Sequence, residues 1–278
     1  MTAPRSVLIT GGAGNIATRF AERVSGVYDL TLLDLPGRFT EAHAAWGRLV
    51  EADLTDLEAV GEAMRGIDTV IHLGGERRPA SLWSTLLPVN IVGTYNVVAA
   101  AVAAGCRHVI YGSSVHVVTG YEPQLQVRET DPVRPGDLYG VTKCFGEALG
   151  AYVAATEGVS FTALRIGAFQ DPERLADDRA GWMLRDYCAP EDLFQLLAAV
   201  IDADRSGFQI YNAVSGNRFS RLPIDKARAK LDYAPAYDAF EVAAPFRNAI
   251  EAVGGVDDGP VASGMREDVE RIMSSTGK

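Results

Sequence analysis

The amino-acid sequence predicts an α/β protein with a doubly wound parallel sheet and a small lobe late in the chain. Over the first two-thirds of the sequence, short runs rich in Val, Ile and Leu alternate with longer helical patterns. The short runs are apolar at nearly every position, as is typical of strands covered on both faces. After residue 167 the alternation gives way to a charged, turn-rich stretch. Together these three observations favour a parallel sheet flanked by helices.

The elements of the sheet follow in chain order. Six strands are predicted at residues 6–10, 28–34, 48–53, 68–74, 107–114 and 159–167. Helical patterns at residues 15–25, 57–65 and 83–104 separate them, and a further helix opens at 139. Beyond a predicted loop at 168–182, we expect helices at 190–204, 222–231 and 266–273, and a strand at 207–214.

Charge and composition argue against several classes of binding partner. The chain has 278 residues, a formal net charge of -10 and a pI of about 4.9. Nucleic acids and anionic membranes attract basic surfaces, so neither is expected as a partner. The three cysteines, Cys106, Cys144 and Cys188, are widely spaced, which predicts reduced thiols, no metal site and a cytoplasmic location. No run of about 18 uninterrupted apolar residues is present, so no membrane span is expected.

A glycine-rich turn follows the first strand in "VLITGGAGNIATRF" at residues 7–20. Gly11, Gly14 and Ala17 have the G-x-x-G-x-x-A spacing of a dinucleotide loop, in which the pyrophosphate lies at a helix N-terminus. Asp34 ends the second strand, where an acid accepts from a ribose 2′-hydroxyl and repels a 2′-phosphate. The sequence therefore predicts a Rossmann fold and favours NAD. Arg38, just past the acid, keeps NADP open.

Four further motifs occur in a fixed order: "ADLTD" (52–56), "HLGG" (72–75), "GSSVH" (112–116) and "YGVTK" (139–143). With the glycine loop, this set resembles the extended short-chain dehydrogenase/reductase family of NAD-dependent epimerases, dehydratases and dehydrogenases. The resemblance covers roughly residues 5–215. The change of pattern after residue 167 predicts that residues 1–167 form the dinucleotide-binding core. It also implies that residues 168–278 form mainly a substrate lobe, interleaved with the core in one compact unit.

The resemblance assigns roles to particular residues. Ser114, Tyr139 and Lys143 correspond to the catalytic serine, tyrosine and lysine. Asn90 would support the helix that carries Tyr139. The residues implied in cofactor binding are Gly11, Gly14, Asn15, Ile16, Asp34, Asp53, Leu54, Leu73, Gly74, Gly75, Asn90, Ser113, Tyr139, Lys143 and Ile166. The implied homodimer would form through the helices at 83–104 and 139–156.

The chemistry of these residue types agrees with hydride transfer from an alcohol. The alcohol proton needs a base, and a free tyrosine, with a pKa of about 10, is protonated at neutral pH. On a helix, Tyr139 and Lys143 share a face, and a nearby ammonium favours the phenolate. Ser114 would hold the substrate oxygen by a hydrogen bond.

Within that family the motif sequences are most similar to those of NAD-dependent uronate dehydrogenases, which oxidise the anomeric hydroxyl of a hexuronate to a lactone. Three substrate positions of that group carry apolar residues in this chain: Val115, Ala168 and Trp182. Arg77, Arg78, Arg179 or Arg185 could bind an anion instead, and His116 could contact the substrate. We therefore expect an NAD-dependent dehydrogenase of a free sugar or sugar acid. An epimerase that retains NAD is the alternative, and a catalytically dead regulator is a third hypothesis.

Overall fold

The structure is a computed structural model that describes residues 4–176, 180–204 and 207–243, without the side chains of residues 180 and 182. The predicted helix at 266–273 and Arg179 lie outside the described residues. The side chain of Trp182, which is predicted to contact the substrate, also lies outside the described part of the chain.

A seven-stranded parallel sheet confirms the predicted fold class, with strand order β3-β2-β1-β4-β5-β6-β9. A separate parallel pair joins β7, at the start of the segment predicted to be a loop, to β8, which lies after the end of that segment. Each of its strands is two residues long, too short to leave a periodic pattern. The described strands are β1 Ser6–Thr10, β2 Asp29–Asp34, β3 Arg48–Glu51, β4 Thr69–His72, β5 His108–Ser114, β6 Ser160–Ile166, β7 Ala168–Phe169, β8 Tyr187–Cys188 and β9 Phe208–Ala213.

Most helices begin within one residue of the predicted position, and four of them end one or two residues earlier than predicted. The helix predicted at 222–231 begins only at Asp225, and the short helix at Ala239–Val242 was not predicted. The third pattern, 83–104, is interrupted by a π-helical segment at Leu87–Gly93. The described helices are α1 Asn15–Arg23, α2 Leu57–Ala63, α3 Trp83–Leu86, α4 Thr94–Ala103, α5 Leu138–Thr156, α6 Pro190–Asp202, α7 Asp225–Leu231 and α8 Ala239–Val242.

The continuous helical stretch Trp83–Ala103 differs from expectation in one respect. By length and composition it is apolar enough to cross a membrane, although the sequence predicts no such segment. Half of its most apolar window is buried within the protein. Core helices of soluble proteins pass the same test, so this helix is weak evidence for a membrane span.

The chain divides into two compact units. The first comprises Met1–Gly112, Phe145–Ala163 and Asp204–Gln209, and the second comprises Ser113–Cys144, Leu164–Ala203 and Ile210–Lys278. The separation of core and lobe at residue 167 remains a prediction.

In the first unit, the second half of α5 packs closely on two aromatic rings. A Cβ atom at Gly146 would overlap the ring of Tyr111, and one at Gly150 would overlap the ring of Phe161. Glycine at these two positions, one turn apart, therefore lets the helix backbone rest directly on the strands. The same rings lie 6.1 Å apart between centroids and belong to β5 and β6.

In the second unit, a buried carboxylate fixes two loops. Asp192, in the first turn of α6, accepts hydrogen bonds from the Ser215 hydroxyl at 2.6 Å and from the Ala236 and Tyr237 amides at 2.7 and 3.3 Å. Burial raises the pKa of Asp192, while these three donors act in the opposite direction. An apolar cluster that includes Leu175, Leu184, Tyr187 and Phe240 packs in the same unit.

Candidate active site

The glycine loop joins β1 to α1 in the geometry that a dinucleotide requires. Gly11 has φ +67, and a Cβ there would lie 2.9 Å from the Gly74 Cα, so only glycine fits without strain. Gly14 is the N-cap of α1 and has no side chain that could cover the first-turn amides of Asn15 and Ile16. The helix N-terminus is thus open to phosphate oxygens, and the residues fit the pyrophosphate of NAD.

Asp34 lies at the end of β2, as predicted, beside the glycine loop. Its carboxylate accepts hydrogen bonds from the Ala13 amide at 2.9 Å and the Leu35 amide at 2.8 Å. These bonds hold the acid in place, and its remaining lone pairs suit a ribose diol. Arg38 is exposed in the turn that follows β2.

A buried hydrogen-bond chain supports the loop after β4. The Gly74 amide donates to Thr10 Oγ1 at 3.1 Å, and Thr10 Oγ1 lies 2.7 Å from His72 Nδ1. His72 Nε2 in turn lies 3.1 Å from Thr94 Oγ1. This chain, which the sequence did not predict, fixes the backbone of "HLGG" relative to β1 and α4.

Two asparagines of the long helical stretch hold the neighbouring loops. Asn90, in the π-helical segment, accepts from the Glu76 amide at 2.8 Å and donates to the Glu76 carbonyl at 2.9 Å. Asn96 donates to the carbonyls of Leu54 and Thr55 at 2.9 and 3.1 Å. The predicted cofactor residues of these loops, including Asp53, Leu73 and Gly75, are thereby attached to one helical stretch.

Glu76 accepts hydrogen bonds from Arg77 and Arg78, two of the four arginines predicted as possible anion ligands. Its carboxylate accepts from the backbone amides of Arg77 and Arg78, and from Arg78 Nε at 3.2 Å. These hydrogen bonds and the Arg78 charge outweigh the desolvation of the carboxyl group and lower the pKa of Glu76. Arg78 is therefore already paired, whereas the Arg77 side chain is exposed.

The second unit contains the three predicted catalytic residues. Ser114 ends β5, and its Oγ accepts from the His116 amide at 3.2 Å. Tyr139 and Lys143 lie one turn apart at the start of α5, with the Lys143 ammonium 5.7 Å from the centroid of the Tyr139 ring. All three side chains are buried, as is Ser113. The arrangement places a cation beside a phenol in a low-dielectric setting, which favours the phenolate.

Burial lowers the pKa of Lys143 from 10.5 to about 8. At any pH below this pKa the buried ammonium is charged, and its charge lowers the free energy of unfolding of the protein. Such strain at one buried cation is common where a site is arranged for chemistry rather than for stability.

An aspartate–histidine pair adjoins the tyrosine. Asp137 Oδ2 lies 2.6 Å from His116 Nδ1, and Asp137 Oδ1 accepts from the Gly140 amide at 2.7 Å. The His116 and Tyr139 rings meet edge to face, with centroids 5.3 Å apart. Asp137 was not predicted as a site residue, although its position directly before a helix marks it as an N-cap.

Two other predicted substrate positions, Val115 and Ala168, and the predicted cofactor position Ile166 lie in the same unit. Val115 and Ile166 are buried, and Ala168 is half-buried in β7. Arg185 does not present a free guanidinium, because it donates to the carbonyls of Pro123 at 2.6 Å and Phe219 at 3.4 Å. It therefore serves to join two loops.

Comparisons with known proteins identify the family and several relatives of the chain. The model of the "NAD dependent epimerase/dehydratase family" matches residues 7–176. An NAD-dependent glucose-6-phosphate dehydrogenase of Haloferax volcanii is 32% identical over 84% of this chain and 94% of its own. A uronate dehydrogenase of Pseudomonas putida is 30% identical over 88% of both chains. The NAD complex of a point mutant of the Agrobacterium tumefaciens uronate dehydrogenase superposes with a TM-score of 0.77, at 28% identity over 92% of this chain and 91% of that one.

The fold and the loop define an NAD-binding oxidoreductase of the short-chain type. The chain belongs to the NAD-dependent epimerase/dehydratase family, the extended short-chain dehydrogenases/reductases. The predicted family, fold class and cofactor are thereby confirmed.

Proposed function

We propose that the protein oxidises the anomeric C1 hydroxyl of a free sugar or sugar acid to a lactone, with NAD as the hydride acceptor. The observation that carries the proposal is the buried Tyr139 with the Lys143 ammonium one turn away. The relatives named above act, by their names, on uronates and on glucose 6-phosphate. These sugars share an anomeric hydroxyl and an anionic group at C6.

In the proposed mechanism, Ser114, Tyr139 and Lys143 each have a separate role. Ser114 Oγ donates a hydrogen bond to the C1 oxygen and orients it. The Tyr139 phenolate takes the proton of the C1 hydroxyl, and the Lys143 charge stabilises that phenolate. NAD held at the glycine loop would supply the hydride acceptor for the hydrogen of C1. The burial of the three side chains limits water, which strengthens the effect of the Lys143 charge.

The apolar side chains of Val115 and Ala168 bear on substrate choice. An apolar wall rejects unpaired polar groups, so we propose a substrate that differs from a plain hexuronate in its polar contacts. Arg77, which is an exposed residue, is the arginine we propose as the partner of an anionic substituent. The location of the enzyme in the cytoplasm remains part of this proposal.

Absorbance at 340 nm will test the function. The purified protein should reduce NAD when mixed with glucuronate, galacturonate, glucose 6-phosphate or a neutral aldose such as L-arabinose. NADP should be reduced more slowly, because Asp34 repels its 2′-phosphate. The matched control is a methyl glycoside of the active sugar, in which the anomeric hydroxyl is blocked. Turnover of the methyl glycoside would contradict C1 oxidation.

The alternative function is an epimerase that retains NAD and returns the hydride. It predicts no net NADH, and a change in sugar configuration that NMR would detect. Accumulation of NADH together with a lactone would exclude this alternative.

We also propose a homodimer formed through the helical stretch 83–103 and α5. These elements expose large apolar side chains that an isolated subunit would leave in water, among them Trp83, Leu87, Tyr95 and Tyr152. Tyr152 is 60% exposed, and Val27, a control position outside these helices, is 58% exposed.

Sedimentation velocity should find the parent as a dimer and Tyr152→Glu shifted towards monomer, since a buried unpaired carboxylate opposes association. Val27→Glu should leave the mass unchanged. A monomeric parent at micromolar concentration would contradict the dimer.

A further inference from the structure

The Asp137–His116 pair is a second polar arrangement beside Tyr139 that the mechanism above does not use. Asp137 is nearly inaccessible, with 5% of its side chain exposed, while His116 retains 29%. Both oxygens of the carboxylate are occupied, one by the His116 ring and the other by the Gly140 amide. The carboxylate is therefore fixed at two points.

The local packing fixes the histidine as well. A Cβ at Gly140 would overlap the carbonyl oxygen of His116, so the chain after β5 lies directly on the start of α5. The His116 amide is held by Ser114 Oγ, and its ring stands edge-on to Tyr139. Backbone and ring are thus both restrained.

The hydrogen bond determines which ring nitrogen carries the proton. A carboxylate only accepts, so the hydrogen in the 2.6 Å contact belongs to His116 Nδ1. In a neutral ring, Nε2 is then left with a lone pair and acts as an acceptor. An acceptor at this place suits a hydroxyl group of a substrate and disfavours a carboxylate or phosphate oxygen, which brings no proton.

From this geometry we propose that Asp137 is a positioning residue that acts through His116. It holds Nε2 as the acceptor for a sugar hydroxyl next to the reacting carbon. The proposal rests on the proposed function and deepens it, because it requires a polyhydroxylated substrate with a free hydroxyl beside C1. Asp137 contacts neither substrate nor cofactor in this role.

The structural alternative is that Asp137 serves only as the N-cap of α5. Asp137→Ser separates the two roles, because serine caps a helix about as well as aspartate but cannot reach the imidazole. We expect kcat/KM for the active sugar to fall roughly tenfold or more, at unchanged NAD affinity. The matched control is Asp56→Ser, since Asp56 caps α2 through the Ala59 amide and is not placed in the site.

A double-mutant cycle gives the decisive kinetic result. If Asp137 acts through His116, Asp137→Ser should cause no further loss in a His116→Phe background. Losses that multiply in the double variant would overturn the proposal, as would an Asp137→Ser enzyme within twofold of the parent.

Nitrogen-15 NMR of the histidine ring supplies a test that does not depend on turnover. The His116 signals, assigned by comparison with His116→Phe, should show Nδ1 protonated and Nε2 unprotonated at pH 8. Asp137→Ser should shift this tautomer balance. A protonated Nε2 with a bare Nδ1 in the parent would overturn the proposal even if no sugar in the panel were oxidised. An absence of turnover with the expected NMR result would instead count against the proposed function alone.

Discussion

Tyr139→Phe should lower kcat by about 10²–10⁴-fold, the usual range for the loss of a general base. The substitution removes one oxygen and leaves the ring that meets His116 and faces Lys143. The binding of NAD and the melting temperature should therefore stay near those of the parent. Initial rates at saturating NAD and sugar give kcat, and NAD affinity follows from quenching of protein fluorescence.

Tyr152→Phe is the matched control for this change, because Tyr152 lies on the same helix but is exposed. It should retain full kcat. If Tyr139→Phe keeps kcat within threefold of the parent, Tyr139 is not the base and the C1 mechanism fails.

Lys143→Met should abolish most of the turnover. The same substitution should stabilise the folded protein when stability is measured in the absence of NAD. Burial holds the Lys143 pKa at about 8 in the folded state, against 10.5 in the unfolded chain. Below pH 8 both states are protonated, and the folded state bears the full cost of the buried charge, roughly 3 kcal/mol. Between pH 8 and 10.5 the folded state loses the proton first, so the stability of the parent rises with pH.

Methionine carries no charge and has no such dependence. The variant should therefore melt higher than the parent by roughly 5 °C at pH 7, and the difference should shrink towards pH 10.5. Calorimetry between pH 6 and 10.5 measures it. Lys230→Met, at an exposed position, should show no such trend. A Lys143→Met gain that grows with rising pH would contradict the assignment of a buried ammonium.

The sequence was informative wherever the signal is local. The apolar runs located β1 to β6 within one or two residues at most ends, because strands covered on both faces must be apolar throughout. The glycine loop and the strand-end acid are local signals too, and the structure has Gly11 in a left-handed turn and Asp34 at the end of β2. Each motif is determined by the geometry of a few consecutive residues.

Features that depend on contacts between residues far apart in the sequence could not be predicted from the sequence. Asp137 and His116 are 21 positions apart, and only the folded chain brings them within 2.6 Å. Arg185 appeared as a possible anion ligand, whereas carbonyls of Pro123 and Phe219 engage its guanidinium. The π-helical segment around Asn90 likewise has no period that differs enough from an α-helix to be detected over seven residues.

Two of the three glycines of α5 have a consequence for how the family can diverge. Gly146 and Gly150 touch the rings of Tyr111 and Phe161 so closely that any side chain there would lift the helix off the sheet. Selection must therefore keep these positions small, whereas exposed positions such as Tyr152 are open to drift. Relatives should consequently share one face of this helix and differ on the other, so that new subunit assemblies can evolve while the tyrosine and lysine stay in place.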